Sequence, residues 1–279
     1  MVTLMSNTTQ RILSAIVMMI VVTTCFILGA KFLSGFILLA GLIACDEIHV
    51  NFLKTSRKSA LYGVGMALVI LPLIYFAYFE RGPAILKVGV NAAVLMNILL
   101  LVYLFYVDMG SNFLKNLLQK VPVLASLLIA LPCLSLVYLL KFDQWQEIII
   151  VLLFVNFGMD SAAWFFGKNF GKHKLWPKVS PKKTIEGLIG GVFSTGLMGS
   201  ILWQLFFSER SFALFAVFCL LGLIAQVGDL VQSKIKRQFE IKDSSTLIPG
   251  HGGVYDRIDS LLFLAPFYAT ALDMHWARF

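Results

Sequence analysis

Residues Phe212–Val231, FALFAVFCLLGLIAQVGDLV, form an almost uninterrupted apolar stretch with one acid near its end. Such a stretch is long enough to cross a bilayer as a helix, which satisfies its backbone hydrogen bonds within the segment. The whole chain has this character, since 59% of its 279 residues are hydrophobic and only 14% are charged. Too little polar surface is left to cover a soluble globule. The sequence therefore predicts an all-α, polytopic integral membrane protein.

The same criterion predicts about nine transmembrane helices. They are expected at Ile12–Ala30, Phe32–Cys45, Ala60–Phe79, Val88–Val107, Val121–Leu140, Ile148–Phe166, Ile185–Phe207, Phe212–Val231 and Leu261–Ala277. The second of these is the shortest. The first is long and is followed at once by more apolar sequence, so we interpret it as a retained helix and not as a cleaved signal peptide.

Lysine and arginine concentrate in alternate connections between these predicted spans. The richest connections are 167–184 and 233–257. Because cytoplasmic connections of membrane proteins are enriched in Lys and Arg, we expect the N-terminus and both of these connections to be cytoplasmic. A compact chain of this kind favours the bacterial cytoplasmic (inner) membrane, with an active site that faces the cytoplasm. We expect no nucleic acid among its partners.

The chain divides into two regions of different character. Region 1–141 consists of apolar helices and is interpreted as scaffold, whereas region 142–279 contains the two polar connections and is expected to be catalytic. Asp46, Glu47 and His49 cluster at the end of the second predicted span. We interpret them as helix-end groups at the membrane interface, with a substrate-facing role as the alternative.

Acids within apolar spans are the first functional candidates. Asp160 and Asp229 lie inside predicted spans, where an ionised carboxylate is costly unless it is paired or hydrated. Helical rise places both in the cytoplasmic half of the membrane, and Asp256 precedes the last span on that side. We therefore expect the three acids near one cavity, with three separate lysine ion pairs as the alternative. Asp229 and Asp256 offer hard oxygen donors that suit one or two Mg²⁺ ions bound to a polyphosphate.

Residues flanking these acids show three further patterns. Gln226, Asp229, Ser233 and Lys236 recur at helical spacing and should share one helix face. The run Pro249–Gly253 predicts a tight bend that brings N–H groups close to an anion, although it is also an ordinary turn signal. Asp259 is interpreted as an N-terminal cap of the last helix.

The connection 167–184 ends in Ser180-Pro181-Lys182-Lys183. Ser before Pro is a good helix start and would place both lysines in the first helical turn. Cations are unfavourable at the positive end of a helix unless an anion is present, so the pattern indicates phosphate binding. A topology signal is the alternative interpretation.

The stretch Ser233–Asp259, SKIKRQFEIKDSSTLIPGHGGVYDRID, resembles the signature of the phosphatidate cytidylyltransferases, also called CDP-diacylglycerol synthases. The fixed K-R, K-D, P-x-H-G-G and D-R-x-D elements are all present. The resemblance continues at Ser180-Pro181-Lys182-Lys183-Thr184-x-Glu186-Gly187 and at Asp160-Ser161-x-Ala163-Trp164, which departs from the family's D-T-x-A-Y at two positions. The N-terminal half matches only in hydropathy.

This resemblance implies transfer of a cytidylyl group from CTP to phosphatidate with Mg²⁺, by a homodimer. It implies that Asp229 and Asp256 bind the metal. It assigns the other catalytic positions to Lys236, Arg237, Lys242, Asp243, His251 and Arg257. It assigns substrate binding to Asp160, Ser180, Lys182, Lys183, Gly252, Gly253 and Asp259.

Two other functions are compatible with parts of this pattern. A CTP-dependent lipid kinase would share the membrane helices and the nucleotide, but it would transfer the γ-phosphoryl group. A cation-coupled transporter would also have intramembrane acids and many spans. Neither alternative requires the full set of charged motifs in Ser233–Asp259.

Overall fold

The computed structural model describes residues 7–79 and 83–276, which are mostly helical. The helices are α1 (Asn7–Leu28), α2 (Ala30–Glu47), α3 (Ala60–Ile74), α4 (Pro83–Tyr106), α5 (Phe113–Lys120), α6 (Val123–Leu139), α7 (Trp145–Phe170), α8 (Ile185–Phe207), α9 (Phe212–Gln238) and α10 (Tyr255–Trp276). Strands β1 (Lys174–Trp176) and β2 (Ser180–Thr184) form an antiparallel hairpin. Single π-helical segments, Ile48–Phe52 and Tyr75–Phe79, extend α2 and α3.

The all-α, polytopic membrane class is confirmed, but the count of nine spans is not. Within the described residues, seven helices are long and apolar enough to cross a membrane, and eight if α5 and α6, bent by 95°, form one span. Helix α6 alone has only 17 residues. Helix α10 is not among the seven, and its first turns carry Asp256, Arg257 and Asp259. The short predicted span Phe32–Cys45 is part of a longer one, Ala30–Phe52.

Close helix packing places the C-terminal elements around one polar region. Helix α8 packs on α7 and α9, and α9 packs on α10. Gly191 allows α8 to approach Met159 and Ala163 of α7, while Gly199 allows it to approach Phe218 of α9. Small residues of this kind bring helix backbones together where lipid provides no hydrophobic driving force. The buried helix α6 lies on the other side, in contact with α2, α3, α4 and α10.

Helix α9 continues beyond the end predicted from hydropathy. It runs to Gln238, so the connection to α10 is 239–254 and Ser233 is helical. The continuation is stabilised by Lys234, whose buried ammonium group donates hydrogen bonds to the carbonyl oxygens of Tyr103 (3.0 Å), Leu104 (2.9 Å) and Val107. These are carbonyls at the C-terminal end of α4, where a cation is favourable.

The lysines of 180–184 lie on a strand, so their predicted position in the first turn of a helix was wrong. Ser180–Thr184 forms β2, and α8 begins only at Ile185. Thr184 has extended backbone geometry, and its hydroxyl accepts a hydrogen bond from the Gly187 N–H at 3.1 Å. Thr184 is therefore the N-terminal cap that Ser180 was expected to be, because its hydroxyl is the one that reaches the free N–H groups of α8.

Candidate active site

A cavity of about 350 Å³ opens between α7, α8, α9 and the hairpin. Asp160 of α7, Lys183 of β2 and Gln226 of α9 contribute its polar wall, and Trp164 and Leu188 contribute to its apolar wall. Ser180 and Lys182 line it as well. The structure thus brings together four of the predicted substrate-binding residues, which the sequence had placed on two separate motifs.

An ion pair joins β2 to the intramembrane acid of α9. The ammonium group of Lys183 contacts the Asp229 carboxylate, and both side chains are partly exposed. Asp160 lies within electrostatic range of Asp229, Lys183 and Arg257. The two intramembrane acids therefore share one polar region, and a lysine provides the countercharge that an acid at this depth requires.

Lys236 connects α9 to two acids of α10. Its ammonium group donates hydrogen bonds to Asp256 Oδ1 at 2.9 Å and to Asp259 Oδ2 at 3.1 Å. All three side chains are buried, and a buried charge requires such compensation. Asp259 lies one turn inside α10, so its interpretation as the N-terminal cap was wrong. Both Asp259 and Lys236 were expected to contact substrate, whereas here they neutralise each other beside Asp256.

Hydrogen bonds to the Asp256 side chain join the connection 239–254 to the start of α10. Its Oδ2 accepts hydrogen bonds from the N–H of Ser244 (2.7 Å), the hydroxyl of Ser244 (2.9 Å) and the N–H of Gly253 (2.9 Å). Gly252 has a φ of 86°, which only glycine adopts readily. The glycine run does present an N–H group to an anion, as predicted, but for Gly253 that anion is the Asp256 carboxylate.

The acids are compatible with Mg²⁺ if substrate supplies the remaining ligands. Within the described residues, no group of three or more His, Cys, Asp or Glu side chains is placed to hold a metal. Mg²⁺ is commonly bound by one or two carboxylates together with substrate phosphates and water, so two acids suffice. Asp229 is paired through Oδ2, and Asp256 Oδ1 accepts one hydrogen bond, from Lys236. Both carboxylates therefore retain lone pairs for a metal.

The remaining charged candidates are exposed. Arg257 lies within electrostatic range of Asp160 and His251, so its charge can reach the acids. Arg237 donates a hydrogen bond to the Ile241 carbonyl at 3.3 Å, which ties it to its own connection. Lys242 and Asp243 are exposed in that connection.

His251 contacts the first helix of the chain. Its Nδ1 lies 2.7 Å from the Ser14 hydroxyl, and Arg11 Nε donates to the Gly250 carbonyl at 2.9 Å. Burial, together with the positive charges of Arg257 and Arg11, lowers the pKa of His251 from its ordinary value of 6.5. A neutral imidazole bonded to a serine fits a structural role better than that of a general base.

Sequence reasoning did not predict which N-terminal residues hold the connection 239–254. Besides Arg11 and Ser14 of α1, Asn51 donates to the Ser244 carbonyl at 2.6 Å, and Glu47 contacts the same segment. Glu47 is the last residue of α2, in agreement with its interpretation as a helix-end group, but its contacts with the connection 239–254 were not predicted. For Arg11 and Ser14 the sequence contains no signal, because their partners, the Gly250 and Pro249 carbonyls and the His251 ring, lie more than 230 residues away.

Comparisons with known proteins give a consistent result. The Cytidylyltransferase family model matches residues 9–275. A phosphatidate cytidylyltransferase of Staphylococcus aureus (strain COL) is 31% identical over 262 residues, which cover 92% of this chain and 95% of the relative. Proteins of the same description from Staphylococcus saprophyticus and Staphylococcus haemolyticus are 30% and 31% identical, with the same coverage.

Proposed function

Because the chain belongs to the cytidylyltransferase family, we propose that the cavity beside the Lys183–Asp229 ion pair is its active site. The reaction is transfer of the cytidylyl group of CTP to phosphatidate, which gives CDP-diacylglycerol and pyrophosphate for phospholipid biosynthesis. One observation carries the assignment of the site. A lysine-bearing strand and an intramembrane acid meet in a cavity that also has apolar walls, so phosphate groups and a lipid can be bound side by side.

The nucleophile needs little activation in this reaction. A phosphate monoester has its second pKa near about 6 and is largely ionised at neutral pH. An oxygen of the lipid phosphate bonds to the α-phosphorus of CTP while the bond from that phosphorus to the bridging oxygen breaks, and pyrophosphate leaves with that oxygen. No strong general base is required, in agreement with the lowered pKa of His251 and its contact with Ser14.

The main barrier for such a reaction is repulsion between two anions, and the cations of the cavity act against it. Lys182 and Lys183 lie immediately before the start of α8, whose free N–H groups add positive potential. We assign the CTP phosphates to this end of the cavity. Arg257 lies near Asp160 on the same side and provides further positive charge.

Asp229 and Asp256 are the residues we assign to one or two Mg²⁺ ions. Bound Mg²⁺ would neutralise phosphate charge and help to align the reacting groups for in-line displacement. Lys236 and Asp259 hold Asp256 in place, and Lys183 balances Asp229 until the polyphosphate enters.

The site is proposed to face the cytoplasm from a bacterial cytoplasmic (inner) membrane. The concentration of lysine and arginine around the cavity supports this orientation. We also propose a homodimer. The membrane-spanning window of α1 is not buried within one chain, so it provides apolar surface at which the second copy can bind.

The test is pyrophosphate release by the purified protein with CTP, phosphatidate and Mg²⁺ in detergent micelles. Release that requires both substrates, with CDP-diacylglycerol as the lipid product, supports the assignment. Reactions with ATP or without lipid are the controls. CDP release with a lipid alcohol as acceptor would instead identify a kinase, and transport in sealed vesicles without CTP consumption would identify a transporter.

A further inference from the structure

Glu47 is a buried carboxylate at the end of α2 that contacts the connection 239–254 and the start of α10. It is only 3% exposed, and none of the ion pairs among the described residues includes it. Its charge is compensated by four hydrogen bonds. Oε1 accepts from the Ser245 hydroxyl (2.7 Å) and the Val254 N–H (2.9 Å), and Oε2 accepts from the Ser244 hydroxyl (2.8 Å) and the Tyr255 N–H (2.9 Å).

These contacts make Glu47 a cap for a helix to which it does not belong. Helix α10 begins at Tyr255, and the first N–H groups of a helix lack partners within it. Val254 precedes the helix and has no side-chain oxygen to accept from them. The carboxylate of Glu47 supplies the missing acceptors, and its negative charge is favourable at the positive end of α10.

The cap is linked directly to Asp256. Three successive backbone N–H groups donate to these two carboxylates. The N–H of Gly253 donates to Asp256, and the N–H groups of Val254 and Tyr255 donate to Glu47. The Ser244 hydroxyl lies between the same carboxylates, 2.8 Å from Glu47 Oε2 and 2.9 Å from Asp256 Oδ2. Because a hydroxyl has only one hydrogen, Ser244 donates to one of the two carboxylates at a time.

Gly253 is required by this arrangement because of space. A side chain at this position would collide with the Ser244 hydroxyl and with the Glu47 carboxylate. The second glycine of the H-G-G motif is therefore explained by the approach of a residue from α2, about 200 positions earlier in the chain.

We propose that Glu47 is a positioning residue for cytidylyl transfer. It fixes the backbone at 253–255 and, through Ser244, the orientation of the Asp256 carboxylate. This inference rests on the assignment of Asp256 to the active site. Glu47 acts through Asp256 and has no contact with substrate, so its loss should lower turnover more than substrate affinity.

The test combines steady-state kinetics with hydrogen exchange of the segment 244–256 in the detergent-purified, full-length protein. In Glu47→Gln one acceptor becomes a donor facing N–H or O–H groups. We expect kcat to fall roughly tenfold or more while KM for CTP stays within about threefold. Exchange of the amides at 253–255 should become faster. Glu47→Asp keeps both oxygens on a shorter side chain and should recover part of both losses.

Two control variants separate positioning from general destabilisation. Asp46→Asn changes the adjacent acid, whose partners are Arg57 and Tyr62 and not the connection 239–254. Asn97→Ala removes a different buried hydrogen bond to α10, from Asn97 to the Phe263 carbonyl at 2.9 Å. Both controls should keep kcat close to that of the wild type, and the exchange of 253–255 should remain slow even if Asn97→Ala lowers the melting temperature.

If Glu47→Gln and Asn97→Ala lower kcat equally and the 253–255 amides exchange as in the wild type, the proposal is refuted. If Glu47→Gln does not fold, Ser245→Ala removes one donor to Glu47 and should still lower kcat and speed exchange. Unchanged kcat in a folded Ser245→Ala protein would then refute the proposal.

Absence of pyrophosphate release from the wild type would refute the assigned reaction instead, and the hydrogen-exchange data would still report on the contacts of Glu47 with residues 253–255.

Discussion

Replacement of Asp256 by asparagine tests the geometry of the site most directly. Asp256 accepts four hydrogen bonds, one at Oδ1 from Lys236 and three at Oδ2 from Ser244 and Gly253. An amide has only one oxygen. In one orientation its NH₂ group faces the Lys236 ammonium, and in the other it faces the N–H groups of Ser244 and Gly253.

The expected magnitude follows from these bonds. A hydrogen bond to a charged group contributes roughly 1.5–3 kcal/mol. The first orientation loses one such bond together with the charge that balances Lys236, and the second loses up to three. A loss equivalent to two bonds, about 3–6 kcal/mol, corresponds to a roughly 10²–10⁴-fold slower reaction if it is expressed in the transition state.

Pyrophosphate release with saturating CTP and phosphatidate measures this loss, and Asp273→Asn is the matched control. Asp273 is an acid of the same helix, bonded to Tyr138 and Lys87, and lies about 25 Å further along α10. We expect Asp256→Asn to reduce turnover at least a hundredfold and Asp273→Asn to change it little. Turnover of Asp256→Asn close to that of the wild type would show that Asp256 has no role in the reaction.

Three further outcomes are expected. Lys183→Met should raise KM for CTP roughly tenfold, because it removes a cation from the cavity. Lys178→Met in the same hairpin should leave KM unchanged, and equal effects of the two variants would contradict the placement of the phosphates. Gly253→Ala should abolish pyrophosphate release because of its collision with Glu47, while Gly63→Ala, which has open space, should not. The pKa of His251 is lowered in the folded state, so at acidic pH the unfolded chain binds more protons than the folded chain. The contribution of His251 to the free energy of unfolding is therefore fully present above about pH 6.5 and declines as the pH falls. Melting temperatures of His251→Gln should show a weaker decline, and identical pH profiles would refute the assignment.

The sequence was informative where a residue type is unfavourable in its predicted surroundings. Asp160 and Asp229 stand out because an acid within an apolar span requires a partner, and the structure places both acids close to the Lys183 ammonium. The helical spacing of Gln226 and Asp229 also indicated a common face, and both reach the polar region beside the hairpin. Membrane class followed from the same physics, since lipid leaves the backbone few alternatives to the helix.

Local patterns failed where two structures were compatible with the same residues. Ser180 and Thr184 are both good caps, and the choice between them depends on the pairing of Trp176 with Ser180 in the hairpin, which no local rule reveals. The end of α9 was missed for a similar reason. Hydropathy falls at Ser233, but the helix continues because Lys234 finds its partners at the end of α4.

The connection 239–254 shows why the site cannot be read from the C-terminal motifs alone. Outside regular structure, its backbone groups need partners from elsewhere, since buried polar groups are costly without them. Those partners include Arg11 and Ser14 of α1 and Glu47 of α2, together with Asn51 just beyond it. The motif from Ser233 to Asp259 contains the groups proposed to do the chemistry, while residues of the N-terminal region hold the connection that contacts Asp256. The proposed role of Glu47 therefore makes an apolar region without a motif of its own as necessary for turnover as the signature itself.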